Sequence, residues 1–271
     1  MPSPSHVVVC CTYFCFGITA CFVSSSGSGN RPTSCDVETS QLKASFSAQA
    51  SGPTTTFYAA VFSSGPVNLG CGDAFVVTSG AERIILARDP ESTSSAIHYV
   101  ASWPSTPEAT TFTLALARGP EKRSAPASHL YLPATFTVLG ASASVRVPSE
   151  AIRFRLDPPM AIDAQELTPS TVRLRVEVEG PYLDKQTYVW TPKVLFPPLV
   201  QADGNVVLDT KFFRRKGTDA SCDAKLRISE VTSGDLDSTF GGPVSGSLDG
   251  IASFDVEGSR HAAELPLRIE W

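Results

Sequence analysis

Familiar signatures of catalysis are missing from this sequence. It has no Gly-x-Ser-x-Gly elbow, no His-Glu-x-x-His pair, no glycine-rich phosphate loop and no dinucleotide fingerprint. The usual sequence routes to serine hydrolysis, zinc-dependent hydrolysis and nucleotide binding are therefore not written in it. Excess positive charge is also missing. The chain has 22 basic against 27 acidic residues, a net charge of −5 and a pI near 5.4. Wrapping a phosphate backbone needs a dense positive field, so nucleic acid is excluded as a partner. Histidine is scarce, with 4 in 271 residues. His98, His129 and His261 lie far apart, and no Cys/His group has zinc spacing. Long apolar runs are absent as well: residues 7–23 are interrupted by Thr12, Gly17 and Thr19, whereas a membrane span takes roughly 20 apolar residues.

What is present begins with an address. Four of the seven cysteines (Cys10, Cys11, Cys15 and Cys21) fall in the first 34 residues, which contain no acid and one base, Arg31. An apolar stretch followed at once by serine and glycine reads as a removable export signal. Its end, Ile18-Thr19-Ala20-Cys21, resembles the bacterial lipoprotein box. That resemblance implies a signal peptide over residues 1–20, lipid attachment at Cys21 and a flexible tether over 21–34. Small residues suit a peptidase that must grip extended backbone, and a thiol is needed to carry the lipid as a thioether. Plain secretion is the alternative.

Three cysteines remain beyond the anchor: Cys35, Cys71 and Cys222. An oxidising compartment permits a disulfide, and an odd count leaves one thiol outside an intrachain pair. Cys35 with Cys71 is the preferred pair, since both lie in the N-terminal half. Cys222 begins a predicted strand and reads as a buried small hydrophobe.

Past the tether the apolar residues repeat every second position, the mark of half-buried strands. Segments 42–46, 56–62, 75–77, 83–87, 97–101 and 111–117 fit this pattern. So do 136–139, 151–156, 172–178, 187–190, 205–209, 225–228, 251–256 and 265–271. Arg153, Arg155, Arg173, Arg175 and Glu177 alternate with apolar neighbours, which places them on wet sheet faces. No amphipathic helix exceeds about two turns. The expectation is an all-β chain of two antiparallel, immunoglobulin-like β-sandwich domains, residues 35–132 and 133–271. The cut follows a polar loop or hairpin at 118–128.

Candidate sites are few. Trp103, beside Pro104 in a predicted loop, is the aromatic residue singled out for ligand contact, among Tyr58, Tyr99, Tyr182, Tyr188 and Trp190. Asp203 with Asn205, and Asp235 with Asp237, are weak calcium candidates: calcium wants six to eight oxygens, although Asp and Asn also favour turns for their own backbone hydrogen bonds. The basic run from Lys211 to Lys216 reads as a solvated strand end or hairpin tip. Gly242-Pro-Val-Ser245-Gly-Ser247 reads as turn chemistry rather than a serine nucleophile, and His98 as a structural imidazole. No cofactor is implied.

Three longer strings carry a family resemblance: Tyr131-Leu-Pro-Ala-Thr-Phe-Thr-Val, Phe57-Tyr-Ala-Ala-Val-Phe with Val67-Asn-Leu-Gly-Cys-Gly-Asp73, and Ser221-Cys-Asp-Ala-Lys-Leu-Arg-Ile with 233–242. They resemble segments of uncharacterised bacterial envelope lipoproteins built from immunoglobulin-like β-sandwich modules. The resemblance implies location and architecture and carries no activity. The expectation is an exported, lipid-anchored cell-envelope protein of the outer membrane. It acts as a non-catalytic structural or binding module, held to the membrane by its anchor, with an envelope protein or polysaccharide as partner. A carbohydrate-binding or adhesive domain, and a hydrolase on a β scaffold, are the competing classes.

Overall fold

The computed structural model describes residues 32–93, 97–160, 173–181, 183–190, 199–201, 203–242, 256–262 and 264–271. Strands of the first part are β1 (Lys43–Ser51), β2 (Thr54–Phe62), β3 (Ala74–Ser79), β4 (Glu82–Ile85), β5 (Ala87–Arg88), β6 (Tyr99–Pro104), β7 (Thr110–Ala117) and β8 (Ala125–Leu132). Then come β9 (Thr137–Leu139), β10 (Ser144–Arg146), β11 (Ala151–Asp157), β12 (Arg173–Gly180), β13 (Leu183–Trp190), β14 (Leu199–Val200) and β15 (Asn205–Asp209). The last are β16 (Ser221–Ser233), β17 (Val256–His261) and β18 (Leu265–Glu270). Helix among the described residues is limited to three short 3-10 turns, Ser34–Asp36, Thr39–Gln41 and Thr210–Phe212. None of these can cross a membrane.

The architecture is an all-β sandwich, and its period-two pattern explains why. In β1, Ala44, Phe46, Ala48 and Ala50 are buried while Lys43, Ser45, Ser47 and Gln49 are half-exposed. Alternate side chains of a strand point to opposite faces, so one face supplies core and the other meets water. The first core joins Phe46, Phe57 and Ala59 from β1 and β2 to Phe75, Leu114 and Leu130 from β3, β7 and β8. Full burial of each large apolar side chain contributes roughly 1.5–3 kcal/mol. Its aromatic rings meet edge to face, as in Phe46–Phe75 at 5.4 Å and Phe57–Phe112 at 4.8 Å between centroids. The second core sets Ile152, Phe154 and Leu208 against Leu174, Val176 and Ile228.

One long sheet runs behind both cores. Its order is β10-β18-β16-β17-β1-β2-β6-β5, with β12 and β13 added on the other edge of β16. Two four-stranded sheets, β4-β3-β7-β8 and β14-β15-β11-β9, complete the layers. Pairing is antiparallel except at two places: β1 with β17, where Phe46 faces Val256, and β10 with β18, where Val145 faces Ile269. The antiparallel expectation is corrected at these two pairings, whose partners lie far apart in sequence and are not joined by a tight turn.

Strand β16 is the hinge of the topology. Its first half, Ser221–Leu226, pairs with β18, and its second half, Ser229–Ser233, pairs with β17, which in turn pairs with β1. Residues 228–233 are all buried, so the alternation that marks its first half disappears. Polar Ser229, Glu230, Thr232 and Ser233 are carried inside with it. Phe240 and Val256, late in the chain, belong to the first core.

Candidate functional site

The residues singled out by sequence are scattered. Cys21 lies outside the described residues, as do Tyr182, Ser245 and Ser247. Cys35 and Cys71 form a disulfide, with Cα atoms 5.7 Å apart across a sequence separation of 36. Closing a loop of that size stabilises by about 2–4 kcal/mol. Reduction, or replacement of both cysteines by Ala, is expected to lower unfolding free energy by that amount, read from denaturant midpoints. Cys222 is 3% exposed in β16, packed into the second core.

Trp103 requires a correction. It lies in β6, not in a loop, and is 7% exposed against Phe57 and Phe112 at 6.3 and 5.7 Å. Pro104 does not break this strand because it is its last residue, opposite Thr54. Trp103 is thus core and cannot present its face to a ligand.

The calcium candidates are engaged otherwise: Asp203 holds its own turn, and Asp235 and Asp237 bind the segment after β16 to β8. Asp203 accepts from the Asn205 backbone N–H at 3.0 Å and from its side-chain amide at 2.5 Å, which holds its carboxyl below the ordinary value. Asp237 accepts from the backbone N–H groups of Ala127 and Thr239, both at 2.8 Å. Asp235 bridges His129 through backbone alone, N–H to carbonyl in both directions at 2.8 Å. No group of three or more His, Cys, Asp or Glu able to hold a metal occurs among the described residues. Within the basic run, Arg214, Arg215 and Lys216 are exposed, after the 3-10 turn capped by Asp209.

The three histidines stay on separate elements. His98 precedes β6 and exchanges bonds with Ser92: its backbone N–H donates to Ser92 Oγ, and that hydroxyl donates to the His98 carbonyl. His129 lies in β8 and His261 ends β17.

A polar group that periodicity did not reveal gathers where β1, β16 and β17 meet. Arg260 is 3% exposed, and its Nε donates to the Pro133 carbonyl at 2.6 Å and its Nη1 to Ser105 Oγ at 3.1 Å. Both acceptors sit on connections, after β6 and after β8, so one guanidinium ties the ends of two strands to β17. Nη2 is buried and has no hydrogen-bond partner among the described residues. Glu230 is the cross-strand partner of Arg260 in the β16–β17 ladder. It is 8% exposed, and burial pushes its carboxyl up to about 7, partly opposed by the Arg260 charge.

His261 completes the group. Its Nε2 meets the side-chain amide nitrogen of Gln49, and its Nδ1 lies 2.5 Å from Ser229 Oγ. A Gln49 amide donating to Nε2 pairs with a ring proton on Nδ1 that faces Ser229 Oγ, the arrangement of a neutral imidazole. Burial accordingly pulls its pKa below the ordinary value. Ser229 is 2% exposed, enclosed rather than presented to a substrate.

These groups adjoin a cavity of about 270 Å³ at the ends of β1 and β17, lined by Arg260 and His261 together with Ala50, Thr135, Phe136 and Ala262. It is close to the lower end of ligand clefts, about 300 Å³.

Glu230 gives this corner a pH signature. A carboxyl raised from 4.5 to about 7 keeps a proton in the folded chain that the unfolded chain releases, so stability falls as pH rises through that window. Glu230→Gln removes the cost of the buried charge. At pH 8 the variant is expected to be more stable by up to about 3 kcal/mol, and at pH 4 equal to the parent, as measured by urea unfolding at the two pH values. His261 acts in the opposite sense: its depressed pKa lowers stability as pH falls below 6.5.

Neither a protein-family model nor a curated protein sequence matches the chain. Among solved structures, the FN1–FN3 domains of chicken CNTN1 align with 90% of this chain and 69% of that chain, at 12% identity and a TM-score of 0.29.

Proposed function

We propose that this chain is an exported, lipid-anchored protein of a bacterial cell envelope whose β-sandwiches serve as a non-catalytic structural or binding module. The Cys35–Cys71 disulfide carries the reading. Disulfides persist outside the reducing cytosol, and this one lies just beyond the apolar, cysteine-rich leader and its serine/glycine tether. It fastens the start of the described chain to the first sandwich.

The same segment is held a second time. Arg118 donates to the Ser34 and Val37 carbonyls and to Thr39 Oγ1, while its Nε pairs with Asp73 at 2.9 Å. A chain anchored through Cys21 would transmit any pull from the membrane into this segment, and two independent fastenings there suit that use. An envelope protein or a polysaccharide is the proposed partner class.

The test is metabolic labelling with an alkyne fatty acid in a bacterial host. The full chain is expected to take up label and partition into detergent, whereas Cys21→Ser takes up none. An unlabelled parent, or undiminished label in the variant, would refute the anchoring.

A further inference from the structure

Strands β17 and β18 run end to end along one side of β16. Partners go from Ser233 opposite Glu257 to Ser229 opposite His261, then from Leu226 opposite Leu265 to Ser221 opposite Glu270, with the register offset by one residue between the two runs. The Ala262 N–H, donating to the Ile228 carbonyl at 2.9 Å, continues the ladder between them. On its other side this long strand is flanked first by β1 and then by β10, both parallel to it. Val256 enters the first core, and Leu267 and Ile269 enter the second. The two cores are thus joined by paired strands, and at about 3.3 Å per residue the run from Val256 to Glu270 spans roughly 45–50 Å.

Strand direction decides how a pull would act. β1 points the same way as β17 and β18, so the start of β1 and the end of β18 lie at opposite ends of the long sheet. The disulfide sits at the first of these ends. Val67 N–H donates to the carbonyl of Val61, the partner of Ala44, and Ser34 N–H donates to the Asn68 carbonyl beside it. Tension between the disulfide and the end of β18 therefore runs along the strands and loads the β17–β18 ladder in shear, many bonds together. A hydrogen bond is weak singly, so it is the sharing that resists. Slippage is blocked as well. One residue of slip would exchange the faces of the strand. Two would bring Val256 to the place of Gly258, where the Tyr131 carbonyl oxygen leaves no room for a Cβ.

We propose that the two sandwiches form one load-bearing rod, which carries tension between the Cys35–Cys71 disulfide and the end of β18 with the β17–β18 ladder as its shear clamp. β1 and β2 lie inside the loop that the disulfide closes, so a pull from the leader side cannot draw them out as extended chain. The inference rests on the structural half of the proposed function, with the anchor at Cys21 as the source of the pull.

Single-molecule pulling on the purified chain is the test. One handle follows Trp271, and the other is an azide-bearing residue in place of either Asn30, ahead of the disulfide, or the exposed Asp219. A pull from position 30 loads β18 along its axis. A pull from position 219, close to Ser221 opposite Glu270, opens the β16–β18 ladder from its end, pair by pair. At equal loading rate the rupture force from position 30 is expected to exceed that from position 219 about twofold or more, because forced unfolding reads the barrier along the pulled direction. Reduction is expected to lengthen the fully extended chain held from position 30 by about 125 Å, the span of the 36 residues between the two cysteines. A rupture force no higher from position 30 than from position 219, or a length that reduction leaves unchanged, overturns the proposal. Label at Cys21 is read separately: a labelled chain that ruptures as easily in both directions keeps its anchor and loses the load-bearing role.

Discussion

Gly258→Ala is expected to abolish the folded state at ambient temperature, with a cost above about 4 kcal/mol. Gly258 sits in β17, where β8 crosses it, and a Cβ built there would lie 1.8 Å from the Tyr131 carbonyl oxygen and 2.9 Å from Thr232 Oγ1. The neighbour is backbone, fixed in turn: Thr232 Oγ1 donates to that same carbonyl. Neither strand can retreat without opening the first core, since β17 is paired on both sides, to β1 and to β16. The backbone conformation is ordinary for a strand, so space alone demands glycine. Circular dichroism and near-ultraviolet fluorescence of the variant should report an unfolded or molten chain. A cooperative transition within 1 kcal/mol of the parent, by the usual error of such comparisons, would show that β8 and β17 do not approach so closely.

Arg118→Ala is the second large effect, about 3–5 kcal/mol. The side chains of Arg118 and Asp73 are 0% and 1% exposed. Removing the guanidinium strands a buried carboxylate whose remaining donor is the Gly119 N–H at 3.0 Å. It also frees the Ser34 and Val37 carbonyls that the guanidinium satisfied. The loss should be local as well as global. Amide hydrogen exchange over residues 33–42 is expected to quicken more than in the second core, and Arg118→Lys is expected to recover only part of the stability, because one ammonium with three protons cannot serve four separated acceptors, Asp73, Val37, Thr39 and Ser34. Equal stability of Arg118→Ala and the parent would contradict the buried clamp.

How much of this was legible in the sequence follows from what each strand faces. Strands β1, β2, β7, β11 and β12 bury one face and wet the other, so alternation announced them. The polar loop expected at 118–128 overlaps the start of strand β8, because Ala125-Pro-Ala-Ser-His has no large apolar residue, although Ala125 and Ser128 are wholly buried. The second half of β16 outran its predicted end for the opposite reason: with both faces covered, alternation no longer applies. Trp103 was misplaced by its proline neighbour.

The polar corner was hidden more deeply. Gly258-Ser-Arg-His261 shows no apolar period, and Arg260 is buried only because β17, a late strand, is laid between β1 and β16. That parallel contact spans most of the chain, and nothing local encodes it. The Asp and Asn pairs were readable as turn-formers, which is how the structure uses Asp203 and Asp237. Gly258 and Gly234, which let β8 pass within 1.8 and 2.1 Å of a virtual Cβ, carry no signal in a single sequence beyond being glycine.

Intact mass of the full chain, produced in a bacterial host and extracted with detergent, is the most direct single measurement of the proposed anchoring. A chain beginning at Cys21, heavier by its acyl groups and lighter by two hydrogens for the Cys35–Cys71 bond, is the expected result. An uncleaved, unacylated chain with all its thiols reduced would contradict both the address and the oxidised fold.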